Sequence, residues 1–321
     1  MNPHVKNTLS SPRNIRLAAL AIAAVTAAPL LASCSSSSSG SKDPLAAPKA
    51  KAGTVVVGSN NFPESILIGD IYGEALKAKG INVSYKPNIG TRETTYKMLQ
   101  NGSVTVLPEY NGALLAYLDP KATPTTVDAT ATAITAKLDS KLTILNPAPA
   151  EDKDSVTVNA ATAAKYHLTA DSTIADLAKH GNEITFGGSP EFKNRQQGLL
   201  GLKSVYGLTP KSYKTLDVGG PLTEAALKND NVQAADIFST DVTIAQEKWV
   251  SLKDPKNLFG FENVLPLVSK TGLQQNGVDA LNAVSAKLTT EALLDMNAQV
   301  QNDKKDPLAV AQAWLKSAGL A

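Results

Sequence analysis

Residues 54–119, TVVVGSNNFPESILIGDIYGEALKAKGINVSYKPNIGTRETTYKMLQNGSVTVLPEYNGALLAYLD, hold the pattern from which the rest of the chain is read. Three short apolar runs, Val55 to Val57, Ile81 to Tyr85 and Val104 to Leu107, alternate with stretches of helical spacing. A polar or glycine-containing turn follows each run. This is the order of a βαβαβα unit, and hence of an α/β fold. In an open parallel sheet, ligands gather where strand C-termini meet helix N-termini. Those points read GSNNFPE, NIGTRE and PEYNG, which makes the three turns one candidate wall of a binding site.

The first turn holds Asn60, Asn61 and Phe62. Asn61 is suited to capping a helix whose first turn contains Pro63 and Glu64. From there Ile68, Ile71, Tyr72, Ala75 and Leu76 follow the spacing of a buried helical stripe, which ends at Gly80. In the second turn Gly90 allows close backbone approach, Thr91 is the expected N-cap, and Arg92 stands at the positive end of a helix. An arginine there is either solvated or held in place by a carboxylate. In the third turn Tyr110 is the aromatic nearest the inferred cleft, and is either a packing tyrosine or a ligand-facing one.

Beyond Asp119-Pro120 the α/β alternation continues. NPAPAEDKDSVTVN, with Asp152 and Asp154, reads as a crossing between lobes. The turn GGSPEFKNRQQG follows the strand Ile184 to Phe186 and offers Phe192 and Arg195 to a second wall. A further strand ends in Phe238, Ser239 and Thr240, where the two hydroxyls either cap the next helix or face the cleft. Trp249 to Leu252 and Val264 to Val268 are further strands, and three helices finish the chain. The lobes expected from this order are residues 54–150 with 244–321, and residues 151–243.

The N-terminal 16 residues carry Lys6, Arg13 and Arg16 and no acid, and an uncharged Ala- and Leu-rich run from Leu17 to Leu31 follows. That is the layout of a secretory signal peptide, and the run is short of the ~20 residues a membrane span needs. Leu31-Ala32-Ser33-Cys34 places the only cysteine where a lipobox requires it, which predicts lipid attachment at Cys34. The expected product is a protein lipid-anchored to the outer face of the plasma membrane. Residues 34–53, polar, small and proline-containing, read as a flexible tether.

Removing the three leader cations from the 31 basic residues leaves 28 against 29 acidic ones, a net charge near −1. No strong basic run remains for nucleic acid. With one cysteine in the chain and His167 and His180 its only histidines beyond the leader, His/Cys metal sites and internal disulfides are not expected, nor is any cofactor. The nucleophile elbow, the phosphate loop and the dinucleotide fingerprint are absent from the sequence, so the expectation is a binding protein and not an enzyme.

VVVGSNNFPES, PNIGTRETTYKMLQNGSVTVLPEYNG, FGGSPEF followed by Arg195, DIFSTD and DPKNLFGFENVLPLV together resemble the glycine betaine, carnitine and choline-binding lipoproteins of ABC importers, of the ProX or OpuAC type. The similarity runs from about Thr54 to Ala318. It implies a two-lobed type II periplasmic-binding fold with two crossover segments forming a hinge. It also implies a monomer that hands a small solute to ABC permease subunits with their cytoplasmic ATPase. Family members commonly hold a quaternary ammonium in a cage of tyrosine rings, whose faces attract a diffuse cation. Carried over residue by residue, the cleft would use Asn60, Thr91, Tyr110, Asp152, Asp154, Phe192, Arg195, Phe238 and Thr240. The sequence departs from that pattern: only Tyr110 clearly matches a cage tyrosine, Asp154 stands where many relatives have an aromatic, and Phe238 replaces Tyr. The other reading left open is a sensor or binding lipoprotein for a hydroxylated or aromatic small molecule, not coupled to import.

Overall fold

The structure, a computed structural model, describes residues 53–124 and 126–321. The leader, Cys34 and the tether up to residue 52 lie outside the described residues. Ten strands are described: β1 (Val55–Gly58), β2 (Val83–Lys86), β3 (Val106–Tyr110), β4 (Leu142–Ile144), β5 (Asp154–Val158), β6 (Thr185–Gly188), β7 (Ser212–Thr215), β8 (Ala234–Phe238), β9 (Val250–Ser251) and β10 (Val264–Ser269). Twelve helices are described with them: α1 (Pro63–Ala78), α2 (Arg92–Gln100), α3 (Asn111–Leu118), α4 (Val127–Lys137), α5 (Ala160–Lys165), α6 (Ile174–Ala178), α7 (Leu199–Tyr206), α8 (Pro221–Lys228), α9 (Thr243–Gln246), α10 (Gln275–Lys287), α11 (Thr290–Gln301) and α12 (Pro307–Ser317).

The strands form two five-stranded sheets, β2-β1-β3-β10-β4 and β7-β6-β8-β5-β9. Each is parallel on one side and antiparallel where the chain crosses: β10 runs against β3 and β4, and β5 runs against β8 and β9. This is the two-lobed α/β fold that the sequence implied.

The central strands, such as β1 and β10, read as apolar runs because both faces of the sheet are covered there, while the edge strands β2 and β7 are more polar and exposed. Along β1, Val55 and Val57 enter one core with α1, α10 and α11, while Val56 enters another with Tyr96, Leu114 and Ile134. The second sheet divides likewise. Phe186 and Ala234 join Val156 on one face, and Ala235 and Ile237 join Leu227 and Trp249 on the other.

Three boundaries differ from the sequence reading. β3 runs to Tyr110, so Pro108 to Tyr110 are strand and not exit turn. Pro108 stands directly opposite Pro266 on β10, which confines the missing N–H groups to one rung of the ladder. The first helix starts after Phe62, with no side-chain cap, and Asn61 is not its cap. β9 pairs with β5, so the return to the first sheet falls after Ser251 and not at residue 244.

The crossings are themselves paired. Ala148 N–H donates to the Val264 carbonyl (2.7 Å), Val264 N–H to Ala150 (3.0 Å), and Asp152 N–H to Glu262 (3.0 Å). Asn263 fastens them to the first lobe: its N–H donates to Asn111 Oδ1 at 2.8 Å and its Nδ2 to the Ala148 carbonyl at 3.0 Å. The two crossings thus run side by side as one hydrogen-bonded ribbon.

Candidate functional site

The ends of β1 and β3 face the ends of β6 and β8 across a small cavity with about 50 Å³ of free space. On the first lobe, the loop after β1 is tied to both neighbouring helices. Asn60 N–H donates to Ser65 Oγ (2.9 Å), and Thr95 Oγ donates to Asn60 Oδ1 (2.9 Å). This fixes Phe62, whose ring lies 6.0 Å from Tyr110 and 4.9 Å from Phe238 of the other lobe. Gly219 makes that placement possible: its φ is +57°, and a Cβ there would lie 2.8 Å from the Phe238 ring.

Arg92 resolves the choice left by its place at a helix start. It is buried, and its Nε lies 3.0 Å from both Glu109 oxygens while its terminal nitrogen reaches Oε2 at 2.9 Å. Glu109 is therefore the carboxylate that holds it, in a bidentate pair. Arg195 crosses the cleft to Glu93 on α2, at 2.9 and 3.0 Å. Glu93 is held below its ordinary range, by a Thr91 hydrogen bond and then the Arg195 charge, against partial burial, the largest single influence.

Behind the aromatic rings lies Glu64. Its oxygens accept from Tyr110 Oη (2.6 Å), Thr240 Oγ1 (2.5 Å) and Asn297 Nδ2 (2.6 Å), so one carboxyl joins the first lobe, the end of β8 and α11. Burial nevertheless raises its pKa. Asp152 accepts from the Thr240 N–H at 3.1 Å; burial, then the Glu64 charge, push it well up. Glu262, on the second crossing, accepts from Ala113 N–H (2.9 Å) and Gln197 Nε2 (3.2 Å), and burial pushes it well up too.

Of the residues expected from the sequence, Asn60, Asn61, Phe62, Thr91, Arg92, Tyr110, Asp152, Asp154, Arg195 and Phe238 line the cavity. Gly90, Phe192, Ser239 and Thr240 do not. Gly90 accepts from Asn61 N–H, holding the first two turns together. Phe192 is turned into the second lobe's core, stacked 5.6 Å from Phe186, because burying a full ring against a neighbouring ring keeps it from water. Ser239 and Thr240 cap no helix, since α9 begins after Val242; they serve Asp152 and Glu64 instead.

Asp236, Glu262, Ser189, Ala113 and Val218 also line the cavity and were not picked out from the sequence. A signal existed for Asp236: a carboxylate inside the apolar run Ala234–Phe238 is rarely buried without a partner or a task. Gly188 belongs with it, since a Cβ there would meet Tyr213 Oη at 2.7 Å and Asp236 Cβ at 3.4 Å. Among the described residues no group of three or more His, Cys, Asp and Glu could hold a metal ion, and no helix is long and apolar enough to cross a membrane. Ring faces and carboxylates around a small cavity are suited to holding an organic cation by contact and charge.

Comparison with known proteins gives a consistent picture. The family model described as the substrate binding domain of ABC-type glycine betaine transport systems matches residues 53–317. The chain is 28% identical over 284 residues to the glycine betaine-binding protein YehZ of Escherichia coli, covering 85% of this chain and 93% of that one. It is 27% identical over 290 residues to a glycine-betaine-binding protein of Pseudomonas aeruginosa, covering 85% and 90%. The crystal structure of a glycine betaine/carnitine/choline ABC transporter protein superposes with a TM-score of 0.64 at 24% identity, covering 83% of this chain and 99% of that one. The last likeness concerns the fold.

Proposed function

The chain belongs to the family of substrate-binding domains of ABC-type glycine betaine transport systems, and on that premise we propose that it captures a small osmolyte of the glycine betaine, choline and carnitine class between its lobes and delivers it to an ABC permease. The family is one of transport components working outside the cytoplasm, not of enzymes. The observation that carries the reading is the cavity between the two sheets, where Phe62, Tyr110 and Phe238 stand beside Asp152 and Asp154.

In this reading the three rings and the carboxylates receive the ammonium group. Quaternary ammonium is attracted to ring faces by their quadrupole, by roughly 0.5–2 kcal/mol per contact depending on desolvation. Phe238 in place of a tyrosine keeps that face. Asn60, Asn61, Thr91 and the two arginines supply donors to the solute's other end. The paired crossings act as the hinge on which the lobes part for entry and release.

The lipid anchor at Cys34 is part of the proposal: a diacylglycerol supplies the two chains that stable attachment requires. Labelled fatty acid should enter the wild-type chain and not the Cys34→Ser variant. Calorimetric titration with glycine betaine, proline betaine, choline, carnitine and ectoine tests the ligand class. A saturable isotherm is expected for at least one, and flat traces for all five would remove the assignment.

A further inference from the structure

The charged groups around the cavity are answered by the protein with one exception. Arg92 is held by Glu109 and Arg195 by Glu93, while Asp152 and Glu262 receive the donors described above. The exception is the pair Asp154 and Asp236 on adjacent strands of the second lobe.

Their proximity follows from strand register. β5 and β8 pair antiparallel with Asp154 opposite Phe238 and Val156 opposite Asp236. Asp154 and Asp236 are therefore diagonal neighbours on one face, within reach of each other. Both line the cavity, and Phe238 stands on the same face beside them. Asp236 is 4% exposed, and its Oδ1 is buried with no hydrogen-bond donor from the protein.

Two carboxyls this close cannot both ionise freely. Burial, then the charge of Asp154, push Asp236 well above its ordinary range; burial raises Asp154 too, against the charges of Arg195 and Arg92. Burial and mutual repulsion thus favour a proton shared between the two carboxyls over two full negative charges. A shared proton accounts for one contact between the two carboxyls, and among the described residues no other side chain or N–H donates to the carboxylate of either one, so their remaining lone pairs are left for what enters the cavity.

A trimethylammonium group satisfies ring faces and charge but has only methyl groups to offer, so it leaves the pair without a donor. We infer that the solute presents an O–H or N–H donor to the Asp154/Asp236 pair in addition to its cationic region. The inference rests on the proposed reading that the cavity takes a small ammonium solute. It separates donor-bearing members of that class, such as hydroxylated or N–H ammonium solutes, from glycine betaine, which has no donor.

Two matched pairs of solutes test this by calorimetric titration of the full chain in detergent. Choline is compared with its O-methyl ether, and N,N-dimethylglycine, whose ammonium carries one N–H, with glycine betaine. The donor-bearing member of at least one pair is expected to bind at least about tenfold tighter, the size of effect that one lost hydrogen bond to a charged group produces. A preference in the choline pair assigns the donor to O–H, and a preference in the other pair to N–H. Asp236→Ala and Asp236→Asn should both shrink the ratio, and melting curves show whether each variant is folded. The wild-type ratios need neither variant. A ratio below about tenfold in both pairs overturns the inference and leaves the proposed function standing. A ratio unchanged in both folded variants also overturns it, and failure of all four solutes to bind overturns the proposed function along with it.

Discussion

The two walls of the cleft are built on the same βαβ design but finished differently. On the first lobe the buried charges are closed within the protein: Arg92 is gripped bidentately by Glu109, and Glu64 accepts three hydrogen bonds. On the second lobe, Arg195 reaches outward to Glu93 across the cleft, and Asp236 keeps an unanswered oxygen. The first wall holds its arginine from within its own lobe, and of Glu109 and Glu64 only Glu64 takes a hydrogen bond from across the cleft, from Thr240. The second depends on closure and on what lies in the cavity for its partners.

The strongest way to break this contrast is to remove Glu109. Glu109→Ala leaves Arg92 buried without its carboxylate, and the expected loss is about 3–5 kcal/mol of stability in urea unfolding. A loss below about 1 kcal/mol would mean that the first wall is no more held from within than the second. Next comes Tyr110→Phe, which keeps the ring but removes one donor from Glu64. The expected loss is about 1–3 kcal/mol, with ammonium binding weakened far less than by Tyr110→Ala. Equal weakening by the two substitutions would show that the hydroxyl and not the ring matters to the ligand.

Glu93→Gln acts on the second wall and should behave otherwise. Its carboxylate is 38% exposed, so stability should fall by no more than about 1 kcal/mol. The radius of gyration in small-angle scattering without solute should instead rise, because a tie between the lobes has gone. An unchanged radius would show that this pair does not hold the lobes together.

An effect of a different kind is expected on the first lobe away from the cleft. Partial burial, with the charges of Asp306 and Glu74, raises Asp70 from 3.8 to about 6. A carboxyl raised in the folded state favours folding below its unfolded pKa, and that contribution is lost as pH rises through about 6. Asp70→Asn should therefore raise the melting temperature at pH 8, with the difference closing by pH 4. A shift that is the same at both pH values would show that the charge is not its cause.

The fold was legible because the central strands β1, β8 and β10 are buried and announce themselves as apolar runs, whereas the exposed edge strand β7, Ser-Tyr-Lys-Thr, was not picked out. The cleft was legible because glycine, asparagine and threonine cluster after those runs. Partnership was not legible. Arg92 stands 17 residues from Glu109, and Thr240 lies 176 residues from Glu64. Only folding brings such groups together, and a turn sequence cannot say which side chain faces inward, as Phe192 shows. Pro108 misled for a related reason, since its effect on the strand depends on the proline opposite it.

The order of strands in the two sheets also has a consequence in time. The second sheet uses one continuous stretch, residues 154–251, whereas the first needs β1 to β4 together with β10 from the far side of the crossing. Helix α12, at the C-terminal end, packs on α1 near the beginning of the described chain. As the polypeptide is made from its N-terminus, the second lobe has all its strands available first. The first lobe stays incomplete until the last helices arrive, so its long-range contacts are the late step of folding.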